Sequence, residues 1–265
     1  MRRATVLSVM VVAAVSGAVA EDKGQYHLFR ATPRELMREL STDRPDKTES
    51  AYTVDAGHFQ VELDVVNYTR EGDDDAWGIG FANLKAGLLN NVDLQVVIES
   101  FLKTEDARGF GDVTTRVKIN LWGNDGGPTA LAVMPFVKWP TNGANLGNDA
   151  VEGGVIVPLA VELPAAWGMG VMTEFDINED GDGRGYHVEF INSITFAHDI
   201  AGDLGGYVEF FSAVSTEGDA DWVGTVDVGL TYAVNDDVQL DTGINIGVTD
   251  AADDLSPFVG VSVRY

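Results

Sequence analysis

The sequence predicts an all-β fold, a closed antiparallel up-and-down transmembrane β-barrel of about 12 strands, preceded by an arm with one short helix. Three observations favour this fold. From Gly57 onward, apolar and polar residues alternate in segments of about 10 to 14 residues, the length and period of membrane-barrel strands. Charged residues stand in the middle of most segments, where a water-filled lumen would spare them the cost of burial. Long and short connections mostly alternate, which is typical of strands that run up and down.

Composition narrows the classes of function. The 265 residues carry a formal net charge of −25, which phosphates would repel, so we expect no nucleic-acid partner. The sequence contains no cysteine, which excludes a disulfide framework and thiolate chemistry. Its 4 histidines form no recognisable nucleophile motif with a neighbouring serine. We therefore predict no enzyme activity and no cofactor.

Residues 1–20 have the pattern of a signal peptide. Arg2 and Arg3 precede an apolar run, and Ala18-Val19-Ala20 matches a cleavage site. The alternative is an uncleaved anchor, but the run is shorter than the roughly 18 apolar residues of a membrane helix. We predict export, cleavage near Ala20 and a final location in the bacterial cell outer membrane. The predicted organisation is a signal peptide (1–20), a periplasmic arm (21–56) and a transmembrane barrel (57–265).

The arm should contain one short helix. Thr32, Pro33 and Glu35 match a capping box with proline at the first helical position, which predicts a helix over about residues 33–40. Farther along the arm, Pro45 and the charges around it exclude a lipid-facing strand. This part of the arm should therefore lie under or inside the barrel.

The alternating segments give the predicted strands. Near residues 111–122, for example, Val113 and Val117 fall on one face, and Arg116 and Lys118 on the other. A soluble sandwich would also alternate, but it would not need charge in the middle of nearly every strand. The odd-numbered connections should be the long ones, which places both termini at the opposite rim. The strands are predicted near 58–69, 77–89, 92–103, 111–122, 129–139, 151–163, 166–176, 185–197, 204–215, 222–233, 237–248 and 256–265.

Polar residues on the inward face are the candidates for lining a pore. Their net charge is negative, so cations and neutral solutes should pass more easily than anions. The candidates are Glu62, Asp64, Glu99, Arg116, Lys118, Glu189, Glu209, Asp227 and Asp241.

Four charged residues of the arm, Asp43, Arg44, Asp46 and Lys47, are candidates for a plug or gate. One interpretation is a surface turn with local ion pairs of little value. The other is that Arg44 and Lys47 enter the lumen and pair with wall carboxylates, for which a guanidinium fork is well suited.

Two acidic features suggest cation binding, but neither is a complete cation-binding motif. Asp176, Asn178 and Asp180 resemble the start of a calcium loop, but the position that needs a bidentate glutamate is His187. A solvated acidic hairpin is the alternative, and we predict no dedicated metal site. We interpret the acidic long loops first as a charged surface. The alternatives are that they attract cations at a pore mouth or bind lipopolysaccharide phosphates through divalent ions.

One stretch carries a resemblance to a known family. Thr42-Asp43-Arg44-Pro45-Asp46, Thr48-Glu49-Ser50, Tyr52-Thr53-Val54 and Gly57 to Glu62 resemble the signature of the MetA-pathway-of-phenol-degradation family. The resemblance implies an outer-membrane barrel for passive or facilitated passage of small hydrophobic or aromatic compounds. Its partners would be outer-membrane lipid, lipopolysaccharide and a small-molecule solute. The last strand, with Gly260 and a terminal Tyr265, resembles the signal read by the barrel-assembly machinery. The rival prediction is a non-conducting barrel that anchors the envelope.

Overall fold

A computed structural model describes residues 22–144, 146–218 and 220–265 of the chain. The predicted signal peptide, residues 1–20, lies outside the described residues. Within these described ranges, no helix is long and apolar enough to cross a membrane. Strands make up most of the described chain and form one continuous sheet.

Twelve antiparallel strands form the wall, which confirms the predicted number. β3 and β4 are each interrupted once and then continue. The strands are β1 (Phe59–Glu71), β2 (Asp74–Leu89), β3 (Val92–Ile98 and Phe101–Lys103), β4 (Arg108–Gly109 and Val113–Trp122), β5 (Thr129–Trp139), β6 (Glu152–Leu163), β7 (Trp167–Glu179), β8 (Tyr186–Ala201), β9 (Leu204–Ser215), β10 (Val223–Asn235), β11 (Val238–Gly247) and β12 (Leu255–Arg264).

The strand bounds agree with those predicted from the alternation to within a few residues, but one connection differs from its predicted length. The first connection, predicted to be long, is a tight turn at Gly72, because β1 and β2 keep pairing as far as Glu71 and Asp74. The long connections at 140–151, 216–222 and 248–254 lie at this rim, which we call the long-loop rim. The arm and Tyr265 lie at the opposite rim, the short-turn rim.

β1 closes the sheet by pairing with both β2 and β12. Glu62 lies opposite Asn83 in β2 and opposite Ser262 in β12. Every wall strand therefore has a hydrogen-bonded neighbour on each side, and the wall has no free edge. Such closure satisfies the backbone polar groups of a strand that crosses hydrocarbon.

Apolar side chains face outward and polar side chains face inward. In β1, Phe59 is 50% exposed, whereas Gln60 and Glu62 are 2% and 1% exposed. This is the reverse of a soluble protein and is typical of a wall that lies in lipid. The five tryptophans, all between 42% and 50% exposed, stand near strand ends, as in an interfacial girdle. They are Trp77, Trp122, Trp139, Trp167 and Trp222.

The predicted arm helix is wrong in extent. A 3-10 turn lies earlier in the arm, at Lys23–Gln25. Within the predicted range, only Arg34–Leu36 forms a helical turn, also of the 3-10 type, and no side chain, that of Thr32 included, caps it. The chain then extends, and the N–H of Arg38 donates to the carboxylate of Asp55 at 3.0 Å. Pairing with a distant part of the arm thus replaces the local hydrogen bond that a longer helix would need.

Residues 41–56, which we call the lumen segment, run inside the barrel. Ala51 is 1% exposed and packs against Ala130 and Ala132 of β5, which are fully buried. Small side chains on the wall leave room for the backbone of the segment. Gly57, with a φ of 77°, then makes the turn from the lumen segment into β1, which favours glycine.

Gly87→Ala should push the end of the lumen segment away from the wall. A Cβ at this position would lie 2.0 Å from the carbonyl oxygen of Asp55. We expect limited proteolysis of the detergent-folded protein to cut the arm about tenfold faster in this variant. Gly143→Ala is the control, because a Cβ there meets no atom within 4 Å. Equal cleavage in both variants would contradict this docking of the segment.

Candidate functional site

The lumen segment carries six charged residues into the interior of the barrel. Most of these charges meet an opposite charge on a wall strand. A polar interior of this kind is stable only if its charges are paired or solvated. The pairs therefore determine where the segment lies.

Asp43 joins the lumen segment to β2 and β4. Its Oδ2 lies 2.5 Å from the ammonium of Lys85, and the ammonium of Lys118 donates to its Oδ1. The backbone N–H of Ser50 donates to the same carboxylate at 3.0 Å. The three ionic side chains are at most 3% exposed. Removing Asp43 would leave the buried ammonium of Lys118 without its ion-pair partner.

Glu62 of β1 completes this cluster. It accepts hydrogen bonds from the backbone N–H of Asp43 at 3.1 Å and from the side-chain amide of Gln60 at 2.7 Å. It also pairs with the ammonium of Lys85. Two carboxylates thus face two ammonium groups. We call Asp43, Glu62, Lys85 and Lys118 the anchor cluster.

Arg44 binds two wall carboxylates at once. Its guanidinium lies 2.7 and 3.3 Å from the two oxygens of Asp241 in β11, and 2.5 Å from Asp64 in β1. The guanidinium also lies over the ring of Phe258, 5.4 Å from its centroid. Gly260 permits this position, because a Cβ there would lie 2.2 Å from a guanidinium nitrogen.

Glu209 of β9 holds the next part of the segment. Its carboxylate accepts the backbone N–H of Lys47 at 2.8 Å and that of Thr48 at 2.7 Å. The hydroxyl of Thr48 donates to the same carboxylate at 2.5 Å. The ammonium of Lys47 reaches β10, where it lies 2.9 Å from the hydroxyl of Thr225 and 3.5 Å from Asp227.

Glu49 pairs with Arg116 of β4 at 2.5 Å. Arg116 also donates to the side-chain oxygen of Gln95 at 2.7 and 3.1 Å. The second carboxylate oxygen of Glu49 is buried and has no hydrogen-bond partner among the described residues. The lumen segment is therefore bound to β1, β2, β4, β9, β10 and β11.

Seven of the nine predicted lining residues contact the lumen segment: Glu62, Asp64, Arg116, Lys118, Glu209, Asp227 and Asp241. The other two lie nearer the long-loop rim. Glu99 accepts the N–H of Asp112 at 3.0 Å, and Glu189 accepts the amide of Asn178 at 3.4 Å. Of the gate candidates, Asp43, Arg44 and Lys47 pair with the wall, and Asp46 lines the cavities described below.

Lys85 is a member of the anchor cluster that the sequence reasoning missed. It stands in the middle of its strand between Leu84 and Ala86, so it gives the same alternation signal that identified Arg116. The signal is weak because β2 places glycine and alanine on both faces. Asp93 and Gln95 of β3 are also buried and inward-facing, and they alternate clearly with the apolar residues on either side, but they were not among the predicted lining residues.

Ion pairs also hold the arm where it enters at the short-turn rim. Arg34 of the arm and Arg264 of β12 both bind Asp237, the latter at 3.0 Å. Burial raises the pKa of Asp237, but hydrogen bonds from the two arginines outweigh burial and hold the pKa below its ordinary value. This carboxylate therefore stays ionised and keeps both arginines in place.

The three weak metal candidates do not converge. Asp176 and Asn178 lie elsewhere on β7, and only Asp180 belongs to a group with metal-ligand spacing. That group adds His187 and Glu217, and its ligand atoms lie within 4.8 Å of one another. The nearest pair, the imidazole of His187 and Asp180, is 3.1 Å apart. The group is partly exposed at the long-loop rim.

Two cavities flank the lumen segment. The short-turn cavity, of about 310 Å³, lies toward the short-turn rim and is lined in part by Leu159 and Gly205. The long-loop cavity, of about 370 Å³, is lined in part by Thr69 and Asp253. Three residues line both cavities: Arg44, Pro45 and Asp46. We call this turn the partition, since it separates the two spaces.

Comparison with known proteins shows which family this chain matches and which solved structures have a similar fold. A family model described as "Putative MetA-pathway of phenol degradation" matches residues 42–265. The COG4313 outer membrane channel from Pseudomonas putida F1 is similar in fold, with a TM-score of 0.60 and 11% identity over 85% of this chain and 100% of that one. The NanC porin gives a TM-score of 0.57 and 11% identity over 77% and 98%. A search of curated proteins finds no match.

Asp43→Asn should destabilise the protein by about 3 to 5 kcal/mol, because it removes the shared partner of two buried lysines. The measurement is denaturant unfolding of the detergent-folded barrel, followed by tryptophan fluorescence. Asp75→Asn is the control, since it breaks an exposed pair with Arg70 whose side chains are 39% and 52% exposed. That control should cost less than about 1 kcal/mol. Similar losses in the two variants would contradict the anchoring role of Asp43.

Proposed function

Because the chain belongs to the MetA-pathway of phenol degradation family, we propose that it is a bacterial outer-membrane channel for passive or facilitated passage of small molecules, with the lumen segment as its gate. The fold, similar to that of outer-membrane channels, supports the location and the general role. The observation that carries the gate is the partition. A turn that lines both cavities is all that needs to move for them to join.

The pairs of the partition are better suited to opening than those of the anchor cluster. The side chains of Arg44 and Asp64 are 15% and 22% exposed, whereas those of the anchor cluster are at most 3% exposed. The side chain of Asp241, the second partner of Arg44, is fully buried, so this greater exposure is limited to the pair with Asp64. Water that already reaches these groups lowers the cost of separating them. The partition can then leave its carboxylates while Asp43 keeps the arm in the lumen.

The charges of the path favour cations and neutral solutes. If Arg44 moves, Asp64 and Asp241 face the opening without a counter-ion. A lumen of one sign raises the local concentration of opposite charges and excludes like ones. The family description, with phenol degradation in its name, supports small hydrophobic or aromatic solutes.

The proposed environment is the outer membrane, with lipid and lipopolysaccharide around the barrel. We also propose that the barrel-assembly machinery recognises β12, which is followed by an exposed Tyr265. β12 pairs with β1 to close the wall, so this strand is the one that completes the barrel.

A second candidate function follows from the same arm. A lumen filled by paired charges also suits a non-conducting barrel that strengthens the envelope. The two candidates differ in whether the partition ever leaves the path, and current across a membrane distinguishes them.

Deleting residues 21–50 should raise single-channel conductance in planar bilayers, because it removes the partition and most of the lumen segment. The wall charges left behind would be solvated by the water that fills the lumen. The reversal potential in a salt gradient should indicate a preference for cations in the wild-type protein.

Two results would overturn this proposal. A folded deletion variant with unchanged conductance would reduce the arm to an assembly element. A clear anion preference would contradict the proposed lining. Heat-modifiable migration on electrophoresis provides the check that the variant is folded.

Arg44→Gln in the full-length protein should raise the fraction of time that the channel is open by about tenfold. The substitution removes charge-assisted hydrogen bonds to Asp64 and Asp241. Arg70→Gln is the control, because it removes an arginine from an exposed ion pair near the tip of β1. If both variants open equally often, the Arg44 contacts do not hold the gate.

A further inference from the structure

The short-turn cavity has a composition that the gate does not explain. Its wall includes apolar side chains from both the arm and the barrel, among them Tyr52, Leu159, Met169 and Tyr207. The volume, about 310 Å³, is at the lower end of the range of small-molecule sites. The cavity can therefore hold a compound of the size of a substituted benzene ring.

Three carboxylates at this cavity have no partner. Glu39 of the arm, Glu162 of β6 and Asp199 of β8 all line it. None of these carboxylates forms a hydrogen bond or an ion pair within the part of the chain that the structure describes. By contrast, five other acidic side chains in the lumen are paired with a cation or hydrogen-bonded: Glu49, Glu62, Glu209, Asp227 and Asp241.

The arginines on the wall of the cavity do not neutralise these carboxylates. Arg38 is bound to Asp125 at 3.0 Å and to the side-chain oxygen of Asn90 at 3.0 Å. Arg44 is bound to Asp64 and Asp241. The guanidinium groups are therefore occupied, and the mouth of the cavity keeps an excess of negative charge.

One of these carboxylates, Asp199, acts on another, Glu39. Burial and the charges of Asp199 and Asp236 raise the pKa of Glu39 above its ordinary value. A cation placed among these groups would relieve their repulsion and gain charge-assisted hydrogen bonds. An apolar body on the same cation would cover Leu159, Met169 and the tyrosines, whose faces attract cations.

We propose that the short-turn cavity is a binding site for a small organic cation with an apolar body, such as an aryl- or alkylammonium. Glu162 and Asp199 receive the ammonium group, and the apolar side chains receive the rest. The inference rests on the proposed function only in treating the cavity as part of the solute path. Binding itself requires no opening of the partition.

The test is a calorimetric titration of the detergent-folded protein at pH 8, where a histidine side chain ordinarily carries no charge. The probe is benzylammonium, compared with benzyl alcohol and benzoate, which differ in charge, and with methylammonium, which lacks the ring. Benzylammonium should bind at least about tenfold more tightly than each of the other three compounds. Its affinity should fall as the salt concentration rises.

The double variant Glu162→Gln/Asp199→Asn should bind benzylammonium at least about tenfold more weakly than the wild type. Asp73→Asn/Asp74→Asn is the matched control, since it removes two exposed charges at the long-loop rim and should leave the affinity unchanged. Equal binding of benzyl alcohol or methylammonium would overturn the proposal. So would unchanged affinity in the cavity variant or an equal loss in the control.

The result of the binding test can be distinguished from the result of the conductance test. If the deletion of residues 21–50 raises conductance but benzylammonium does not bind, only the binding site is wrong. If benzylammonium binds as expected but the deletion variant conducts no better than the wild type, the gate is wrong and the site stands.

Discussion

The contact of Asp43 with Lys85 and Lys118 is the interaction on which the rest of the structure depends. A barrel whose outer face lies in lipid must turn its polar residues inward, and in this chain they include lysines at the centre of the wall. Asp43 supplies the charge that makes two of these lysines tolerable in a buried position. Because Asp43 belongs to the arm and the lysines belong to β2 and β4, the same contact fills the lumen and fixes the arm.

The lumen segment is held unevenly along its length. At Asp43 it is bound by a fully buried cluster, and over residues 47–51 it is bound by charged side chains of β9 and β4 and packs on the small side chains of β5. Between these points, Arg44, Pro45 and Asp46 are bordered by cavities on two sides. A segment with two fixed points and a less enclosed middle can change its middle without leaving the barrel. This division of roles follows from where water can reach the ion pairs.

The alternation of residues was sufficient to predict the number of strands and their bounds to within a few residues, but it did not identify Lys85 as an inward side chain. It could not predict how far along the barrel axis each residue lies, so Glu99 and Glu189 were grouped with residues that contact the arm. It also could not predict partners, since Asp43 could have met any inward cation. The predicted helix failed because a capping box is a local signal, whereas Arg38 finds its acceptor at Asp55. The tight turn after Glu71 was missed because acidic residues there resemble a loop, although they continue the ladder of β1 and β2.

Gly260 has a consequence beyond the position of Arg44. The two residues are far apart in the sequence, yet a side chain at position 260 would occupy the space of the guanidinium, 2.2 Å from one of its nitrogens. Most substitutions at Gly260 are therefore compatible only with a smaller residue at position 44, and each residue limits what evolution can place at the other. In a set of homologous chains, these two positions should vary together, and a glycine in the last strand would mark the chains that keep the arginine.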